Sequence, residues 1–302
     1  MPIPYKFFKM FWNDVEKKDY KRFASQTPVS GVKEECDIPY TDDAIDGHLF
    51  DFYYPENRGE KKLPLIIDIH GGGWVYGFKE INKNYCYYLA SKGFTVMNVN
   101  YRLSPEAKTY EQVRDIFKAL DWIDKNGDKN GCDMNNVFIT GDSAGGHLAA
   151  VVTAVMARPD LAEKFRVKKP SFDFNAAGYT CGAFDIDLIL KIPALREYAE
   201  QMMGKNYEKN PYIKYVNMSD ILTDCTNMPP IWMISSKEDF IGFLSKKFDR
   251  DLSEHGIFHI FHVFPKSPLH PLPHVFNISF PEYNESMEAN DEMLTFFKAF
   301  IK

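Results

Sequence analysis

The sequence has few cysteines, no long apolar run and no excess of positive charge. Its 5 cysteines form no Cys-x-x-Cys pair and no Cys/His cluster, which argues against a disulfide framework or a zinc site and predicts reduced thiols. No stretch approaches the roughly 20 apolar residues of a membrane-spanning helix. Charged residues interrupt the aromatic N-terminus, so it contains no apolar run long enough for the hydrophobic region of a signal sequence. The sequence therefore predicts a cytoplasmic protein.

The charge balance bears on the partners. With 36 basic and 42 acidic residues the net charge is −6. Nucleic acids and anionic lipid surfaces are bound by basic surface, so neither is expected as a partner. No metal or cofactor motif is present, and none is predicted. The expected partner is a small molecule, and the oligomeric state stays open, with a homodimer as one option.

Short apolar runs alternate with helical patterns along most of the chain. This alternation predicts a single α/β domain, with a mostly parallel sheet and helices on both faces. Two regions interrupt this alternation, residues 1 to about 45 and about 183 to 226, and both are predicted to be cap elements. The first region is predicted to be helical and to contain no strand. The predicted strands span residues 63–70, 93–101, 135–141, 172–179, 229–236 and 257–264. The predicted helices span residues 82–93, 106–126, 144–157 and 288–301.

The strongest chemical signal is the stretch "ITGDSAGGHLAA". Gly141, Ser143 and Gly145 form a G-x-S-x-G motif between a predicted strand and a predicted helix. A strand that turns sharply into a helix exposes the serine hydroxyl, and the turn needs small neighbours because the two elements nearly touch. The amide of Ala144 then points into the same space from a helix N-terminus. Ser143 is predicted to be a nucleophile.

A serine nucleophile needs a base, and the base needs an orienting acid. In enzymes with this strand-serine-helix turn, the acid and then the histidine follow the serine along the chain. Asp239 follows the strand at 229–236 and is the predicted acid, with neighbouring Glu238 as the alternative. The proline-rich loop after the last strand offers His274 as the predicted base and His270 as its alternative.

Three consecutive glycines, Gly71, Gly72 and Gly73, follow the first predicted strand in "DIHGGGWVYG". Neither of the glycine patterns that bind phosphate is present there. A loop without Cβ atoms can present bare amides to the negative oxygen that forms during acyl transfer. The loop is predicted to be part of an oxyanion hole, with His70 as a prop for it, and Trp74 and Tyr76 as pocket wall or core.

The motifs together resemble the hormone-sensitive-lipase-like branch of the α/β-hydrolase esterases. The similar stretches are "HGGGW" (70–74), "YRLSPE" (101–106), "GDSAGG" (141–146), "PPIWMISSKED" (229–239) and "HVF" (274–276). The chain departs from the family pattern after the acid, where Phe240 and Ile241 replace Pro-Leu, and after the histidine, where Val275 intervenes. The resemblance implies an α/β-hydrolase fold and a cap formed partly by the N-terminal segment. It also implies Ser143 as the nucleophile, Asp239 as the acid and His274 as the base. The implied oxyanion donors are the amides of Gly72, Gly73 and Ala144.

These features predict a serine carboxylesterase for short-chain, acetyl-type esters that works through an acyl-enzyme. An arylformamidase or small amidase would use the same triad and is the first alternative. A hydrolase-like protein that binds a small molecule without turning it over is the second.

Overall fold

The computed structural model describes residues 2–225 and 227–302 of the chain. Within these residues there are eight strands, all in one sheet, in the spatial order β1-β2-β4-β3-β5-β6-β7-β8. The pairs β1/β2 and β2/β4 are antiparallel, and all other neighbours are parallel. The strands are β1 (Val32–Pro39), β2 (Leu49–Pro55), β3 (Leu63–Ile69), β4 (Thr95–Val99), β5 (Cys132–Asp142), β6 (Phe174–Thr180), β7 (Ile231–Ser236) and β8 (His259–Phe264).

Twelve α-helices occur in the described part of the chain, and five 3₁₀ turns lie at Asp46–His48, Lys79–Asn82, Asp128–Asn130, Pro193–Leu195 and Tyr207–Lys209. The helices are α1 (Tyr5–Ser25), α2 (Lys83–Ser91), α3 (Thr109–Asn126), α4 (Ser143–Ala157), α5 (Pro159–Phe165), α6 (Ile186–Leu190), α7 (Arg196–Met203), α8 (Ile213–Val216), α9 (Met218–Leu222), α10 (Gly242–Glu254), α11 (Phe276–Ser279) and α12 (Asn284–Lys298). No helix in residues 2–225 or 227–302 is both long and apolar enough to cross a membrane.

The predicted strands and helices are all present, with small shifts at their ends. The expectation that residues 1 to about 45 contain no strand is wrong, because Val32–Pro39 forms β1. Most side chains of β1 are exposed, as suits an edge strand, so the segment shows no buried apolar run. Its Lys33, Glu34 and Glu35 are typical of an edge that resists pairing with other chains. The sequence patterns do not predict β2 either.

The sheet separates two hydrophobic clusters. α3, α4 and α10 pack on one face, and α2 and α12 pack on the other. β3, β6 and the part of β5 from Asn136 onward carry almost entirely buried side chains, because both faces of the central sheet are covered by helices. The fold is the α/β-hydrolase fold.

The carboxyl ends of β3, β5, β7 and β8 lie along one edge of the sheet, because these strands are parallel. The chain leaves β3 toward β4 and then crosses back to β5 on the other side of β3. Ligands of open α/β sheets bind at such a change of direction. The glycine loop follows β3 and Ser143 follows β5, so the topology brings the two strongest sequence signals together.

Candidate active site

Ser143 sits at the turn between β5 and α4. Its φ is 51°, in the left-handed region that non-glycine residues rarely occupy. A Cβ on Gly141 would lie 2.6 Å from the carbonyl oxygen of Gly145, and a Cβ on Gly145 would overlap the carbonyl oxygen of Ile69. The turn is therefore closed to larger residues at both motif glycines, and this tight packing maintains the strained serine.

His274 lies between Ser143 and Asp239. Its Nε2 is 2.9 Å from the Ser143 Oγ, and its Nδ1 is 2.7 Å from Oδ1 of Asp239. The two ring nitrogens thus contact the hydroxyl on one side and the carboxylate on the other. This is the arrangement in which a serine can pass its proton to a histidine whose orientation a carboxylate fixes.

Asp239 is held on several sides. Its side chain is fully buried, Ser235 Oγ donates to Oδ2 at 2.8 Å, and the amide of Ile241 donates to Oδ1 at 3.0 Å. Burial acts to raise the pKa of Asp239, but the hydrogen bond and the charge of His274, with these further donors, outweigh it and hold the pKa below its ordinary value. The carboxylate is therefore ionised at neutral pH.

The alternative acid and base lie in other contacts. Glu238 accepts the amide of Leu272 at 2.8 Å, which ties the acidic turn to the proline-rich loop. Nε2 of His270 lies 3.0 Å from Glu285, and its ring packs on Tyr283. The structure brings His274 and Asp239, rather than His270 or Glu238, to Ser143.

The glycine loop uses its three amides differently. The amide of Gly71 donates to Oδ1 of Asp142 at 3.0 Å. The amides of Gly72 and Gly73 donate no hydrogen bond within the described residues. Both residues have a positive φ, 111° for Gly72 and 59° for Gly73. Ala144, the second residue of α4, is fully buried and lies in the first turn of that helix, where amides lack partners within the helix.

The loop is packed too closely to hold side chains. A Cβ on Gly72 would overlap the carbonyl oxygen of Tyr76, and a Cβ on Gly73 would lie 2.6 Å from Cζ2 of Trp12 in α1. Tyr198 of α7 donates its hydroxyl to the carbonyl oxygen of Gly73 at 2.6 Å. Residues from both segments predicted to be caps therefore contact the glycine loop directly.

The aromatic residues around the glycines are structural. Burial lowers the pKa of His70 to about 4, so its ring is neutral, and it stacks on Tyr101 with its Nδ1 donating to the carbonyl oxygen of Gly71. Trp74 donates its indole N–H to Nδ1 of His147 at 3.1 Å. Tyr76 stacks on Trp12. None of these side chains is placed to exchange a proton with Ser143.

Asp142 is the residue that sequence reasoning missed. It precedes Ser143, is 4% exposed, and accepts the amide of Gly71, so it joins the turn after β5 to the loop after β3. The motif "GDSAGG" contains it, but a motif does not tell which partner a buried carboxylate has.

One group of potential metal ligands occurs among the described residues, and it overlaps this site. Cys181, Asp239 and His274 each offer one ligand atom close to the others. The last two already bond to each other, and burial raises the pKa of the Cys181 thiol well above its ordinary value. Because Asp239 and His274 are already partners in a hydrogen bond, the contacts of this group are accounted for without a metal ion.

A groove of about 620 Å³ reaches His274 from the surface. α1 forms one wall, with Val15, Asp19 and Arg22, and the segment from Pro273 to Tyr283 forms the other. The Asp19 carboxylate accepts the hydroxyl of Tyr76 at 2.8 Å, which ties this wall to the glycine loop. The lining of the groove includes His274 but not Ser143 or the glycine loop.

Known proteins share this architecture. Esterase B from Lactobacillus rhamnosis, in a structure with a C6-C4 SN3 inhibitor, superposes with a TM-score of 0.90 at 31% identity, over 97% of this chain and 94% of that one. Arylacetamide deacetylase of Bos taurus is 33% identical over 142 residues, 42% of this chain and 35% of the relative. Esterase LipC of Mycobacterium tuberculosis is 33% identical over 116 residues, 38% of this chain and 28% of the relative. Both of these matches span well under half of the curated relative.

The BD-FAE family model matches residues 50–243, which include the glycine loop, Ser143 and Asp239. The match and the esterase relatives agree with the strand-serine-helix turn and the sheet order described above. This chain belongs to the BD-FAE family, in the hormone-sensitive-lipase-like branch of the α/β-hydrolase esterases.

Proposed function

We propose that this protein is a serine carboxylesterase that hydrolyses short-chain, acetyl-type esters through an acyl-enzyme. The observation that carries the proposal is the position of His274, with Nε2 at 2.9 Å from the Ser143 Oγ and Nδ1 at 2.7 Å from Asp239. A serine hydroxyl is a weak nucleophile at neutral pH, and this contact supplies the base it needs.

In the first step, the Ser143 Oγ attacks the ester carbonyl while His274 Nε2 takes its proton. General-base catalysis of this kind contributes about 10²- to 10⁴-fold to rate. The ionised Asp239 keeps the imidazole in the tautomer with Nδ1 protonated, and it stabilises the imidazolium that forms. The C–O bond to the alcohol then breaks, and His274 gives its proton to the departing oxygen.

The negative charge on the former carbonyl oxygen is stabilised by the amides of Gly72, Gly73 and Ala144. The amide of Gly71 is excluded from this set because it already donates to Asp142. Fixed amides in a buried site need no reorganisation as the charge develops, and each is worth about 10²- to 10³-fold in turnover. Water then attacks the acyl-enzyme by the same steps in reverse and releases the acid.

We also propose that residues 1–45 and 183–226 contribute a cap over the site, except for Val32–Pro39, which belongs to the sheet. Within these bounds, Met1 and Thr226 lie outside the described residues. Support comes from Trp12 and Tyr198, which contact Gly73, and from the amide of Tyr5, which donates to Glu197 at 2.6 Å. The two segments thus contact each other as well as the glycine loop.

The short acyl chain is supported by the structural relative. Esterase B has also been solved with a C4-C4 SN3 tributyrin phosphonate, at a TM-score of 0.91 to this chain. A phosphonate resembles the tetrahedral intermediate of acyl transfer, so an inhibitor of this kind with four-carbon chains favours a short acyl group here. A small-molecule ester is the proposed partner. A homodimer, the lack of nucleic-acid or membrane partners and a cytoplasmic location remain predictions.

The test is hydrolysis of p-nitrophenyl acetate by wild type, Ser143→Ala and Ser91→Ala. Ser91 is an exposed serine at the end of α2, so Ser91→Ala serves as the matched control. We expect Ser143→Ala to lose turnover by several orders of magnitude and Ser91→Ala to retain it, because only Ser143 forms the acyl-enzyme. Wild-type turnover by Ser143→Ala would refute the proposal.

Hydrolysis of an aromatic amide is the second candidate, favoured by the match to arylacetamide deacetylase. Esters and amides pass through the same tetrahedral intermediate at such a site. Comparing kcat/KM for phenyl acetate, acetanilide and N-formylaniline decides between the two activities, since the esterase proposal predicts the highest value for the ester.

A further inference from the structure

Two buried carboxyl groups lie behind the glycine loop, one on β3 and one at the end of β5. Asp68 is 0% exposed and Asp142 is 4% exposed. Asn82, which is 1% exposed, lies between them, and its Nδ2 donates to Oδ2 of Asp68 and to Oδ1 of Asp142, each at 2.9 Å. One side-chain amide therefore joins two carboxyl groups in the protein interior.

The two carboxyl groups together carry one negative charge. In residues 2–225 and 227–302, no lysine, arginine or histidine nitrogen lies within 4.0 Å of either carboxyl group. Two ionised carboxylates side by side in a dry interior repel each other, so one of them keeps its proton. Their hydrogen bonds decide which one is ionised.

Asp142 has the better donors. It accepts the Gly71 amide at 3.0 Å as well as Asn82, whereas the second donor to Asp68 is only the thiol of Cys86, at 3.7 Å. Oδ1 of Asp68 has no partner among the described residues. N–H donors favour the ionised form of a carboxyl group, which assigns the charge to Asp142 and the proton to Asp68.

The expected pKa values agree with this assignment. Burial, and next the charge of Asp142, raise the pKa of Asp68 to about 8. Burial raises the pKa of Asp142 to about 6, and Asn82, His274 and the Gly71 amide oppose this rise.

We propose that Asn82 is a positioning residue for the oxyanion loop: it bridges protonated Asp68 and ionised Asp142 and so fixes the carboxylate that holds the Gly71 amide. The inference rests on the proposed function, because the loop matters for turnover only if it binds the oxyanion. An ionised acceptor makes a shorter and stronger hydrogen bond than a neutral one. Holding Gly71 in this way fixes the adjacent Gly72 and Gly73.

The kinetic test compares Asn82→Leu, which has a similar size but no donor, with Asp68→Asn, which replaces the protonated acid by a neutral group of the same shape. We expect kcat of Asn82→Leu to fall about 10²-fold with KM nearly unchanged, because the loop is misplaced rather than the substrate pocket. Asp68→Asn is expected to keep most of the wild-type kcat, because the carbonyl oxygen of the new side-chain amide can still accept the Asn82 N–H.

A second test does not depend on activity. Asp68 is protonated in the fold but ionised in the unfolded chain between about pH 4 and its raised pKa of about 8. The folded state then binds the extra proton, so this group's contribution to stability is complete below pH 4 and declines as pH rises to 8. In urea unfolding, the free energy of unfolding should decline less between pH 5 and 8 for Asp68→Asn than for wild type.

The other titratable groups around the pair do not account for a difference between wild type and Asp68→Asn in urea unfolding. The Tyr85, Cys86 and Tyr101 side chains have pKa values raised well above their ordinary values, mainly by burial, so they stay neutral up to pH 8. His274 and Arg22 also act on Asp142, but both are present in wild type and variant alike.

Three results would overturn the inference: wild-type kcat in Asn82→Leu, an equal loss of kcat in Asp68→Asn, or a wild-type decline of stability with pH in Asp68→Asn. If the wild-type protein hydrolyses no ester, the proposed function fails instead, and the urea data alone decide where the proton lies. These data also decide the question where Asn82→Leu does not fold.

Discussion

The substitution Gly73→Ala tests whether the glycine loop is a fixed catalytic element. Gly73 has a φ of 59°, and Gly59, in an exposed turn, has the same φ. An alanine in this left-handed conformation costs about 1–2 kcal/mol at either position. Around Gly59 there is no atom within 4 Å of an added Cβ, so Gly59→Ala measures that conformational cost alone.

At Gly73 the added methyl group meets two residues of the proposed cap. It would lie 2.6 Å from Cζ2 of Trp12 and closer still to the hydroxyl of Tyr198. Overpacking of this kind costs about 1–3 kcal/mol, or the loop moves to relieve it. Gly73→Ala should therefore lose about 2–5 kcal/mol in free energy of unfolding, the sum of the conformational and packing costs.

The catalytic effect separates the two variants further. A displaced oxyanion donor lowers kcat by about 10²- to 10³-fold, and Gly59 is in no position to affect one. The assays are urea unfolding and kcat with p-nitrophenyl acetate for both variants. A folded Gly73→Ala protein with wild-type kcat would refute the role assigned to the loop.

Three further predictions concern the triad. His274→Gln should abolish turnover and His270→Gln should leave it near wild type, because His270 bonds Glu285; equal losses in the two variants would contradict the assignment of the base. Asp239→Asn should lower kcat by about 10⁴-fold while KM changes little, since the imidazole then takes the wrong tautomer. The pKa of Asp239 is lowered in the fold, so its stabilising contribution is present above about pH 4 and is lost as pH falls further. In urea unfolding, the free energy of unfolding of Asp239→Asn should accordingly fall less than that of wild type as pH drops below 4. The same fall in both proteins would count against the lowered pKa of Asp239.

The sequence predicts the centre of the fold better than its edge. β3, β5 and β7 appear in the sequence as short apolar runs because helices cover both faces of the sheet there. β1 does not, since it pairs on one side only and exposes most of its side chains. Its assignment depends on pairing with β2, which is a long-range contact that no local pattern encodes.

The same distinction applies to the site. Ser143 is predictable because its motif requires a particular local turn, and the structure has that turn. The choice between His274 and His270 is not local, because both histidines lie in one proline-rich loop and only the distance to Ser143 separates them. Asn82 carries no sequence signal at all, since its role depends on two carboxyl groups from different strands.

Covalent labelling tests the central claim most directly. The wild-type protein is treated with an excess of a p-nitrophenyl alkylphosphonate, and its intact mass and proteolytic peptides are measured by mass spectrometry. The account predicts one phosphonyl group per chain, on Ser143, together with the loss of esterase activity, and no adduct in Ser143→Ala. An adduct on another residue, or ester hydrolysis that continues after complete labelling of Ser143, would contradict it.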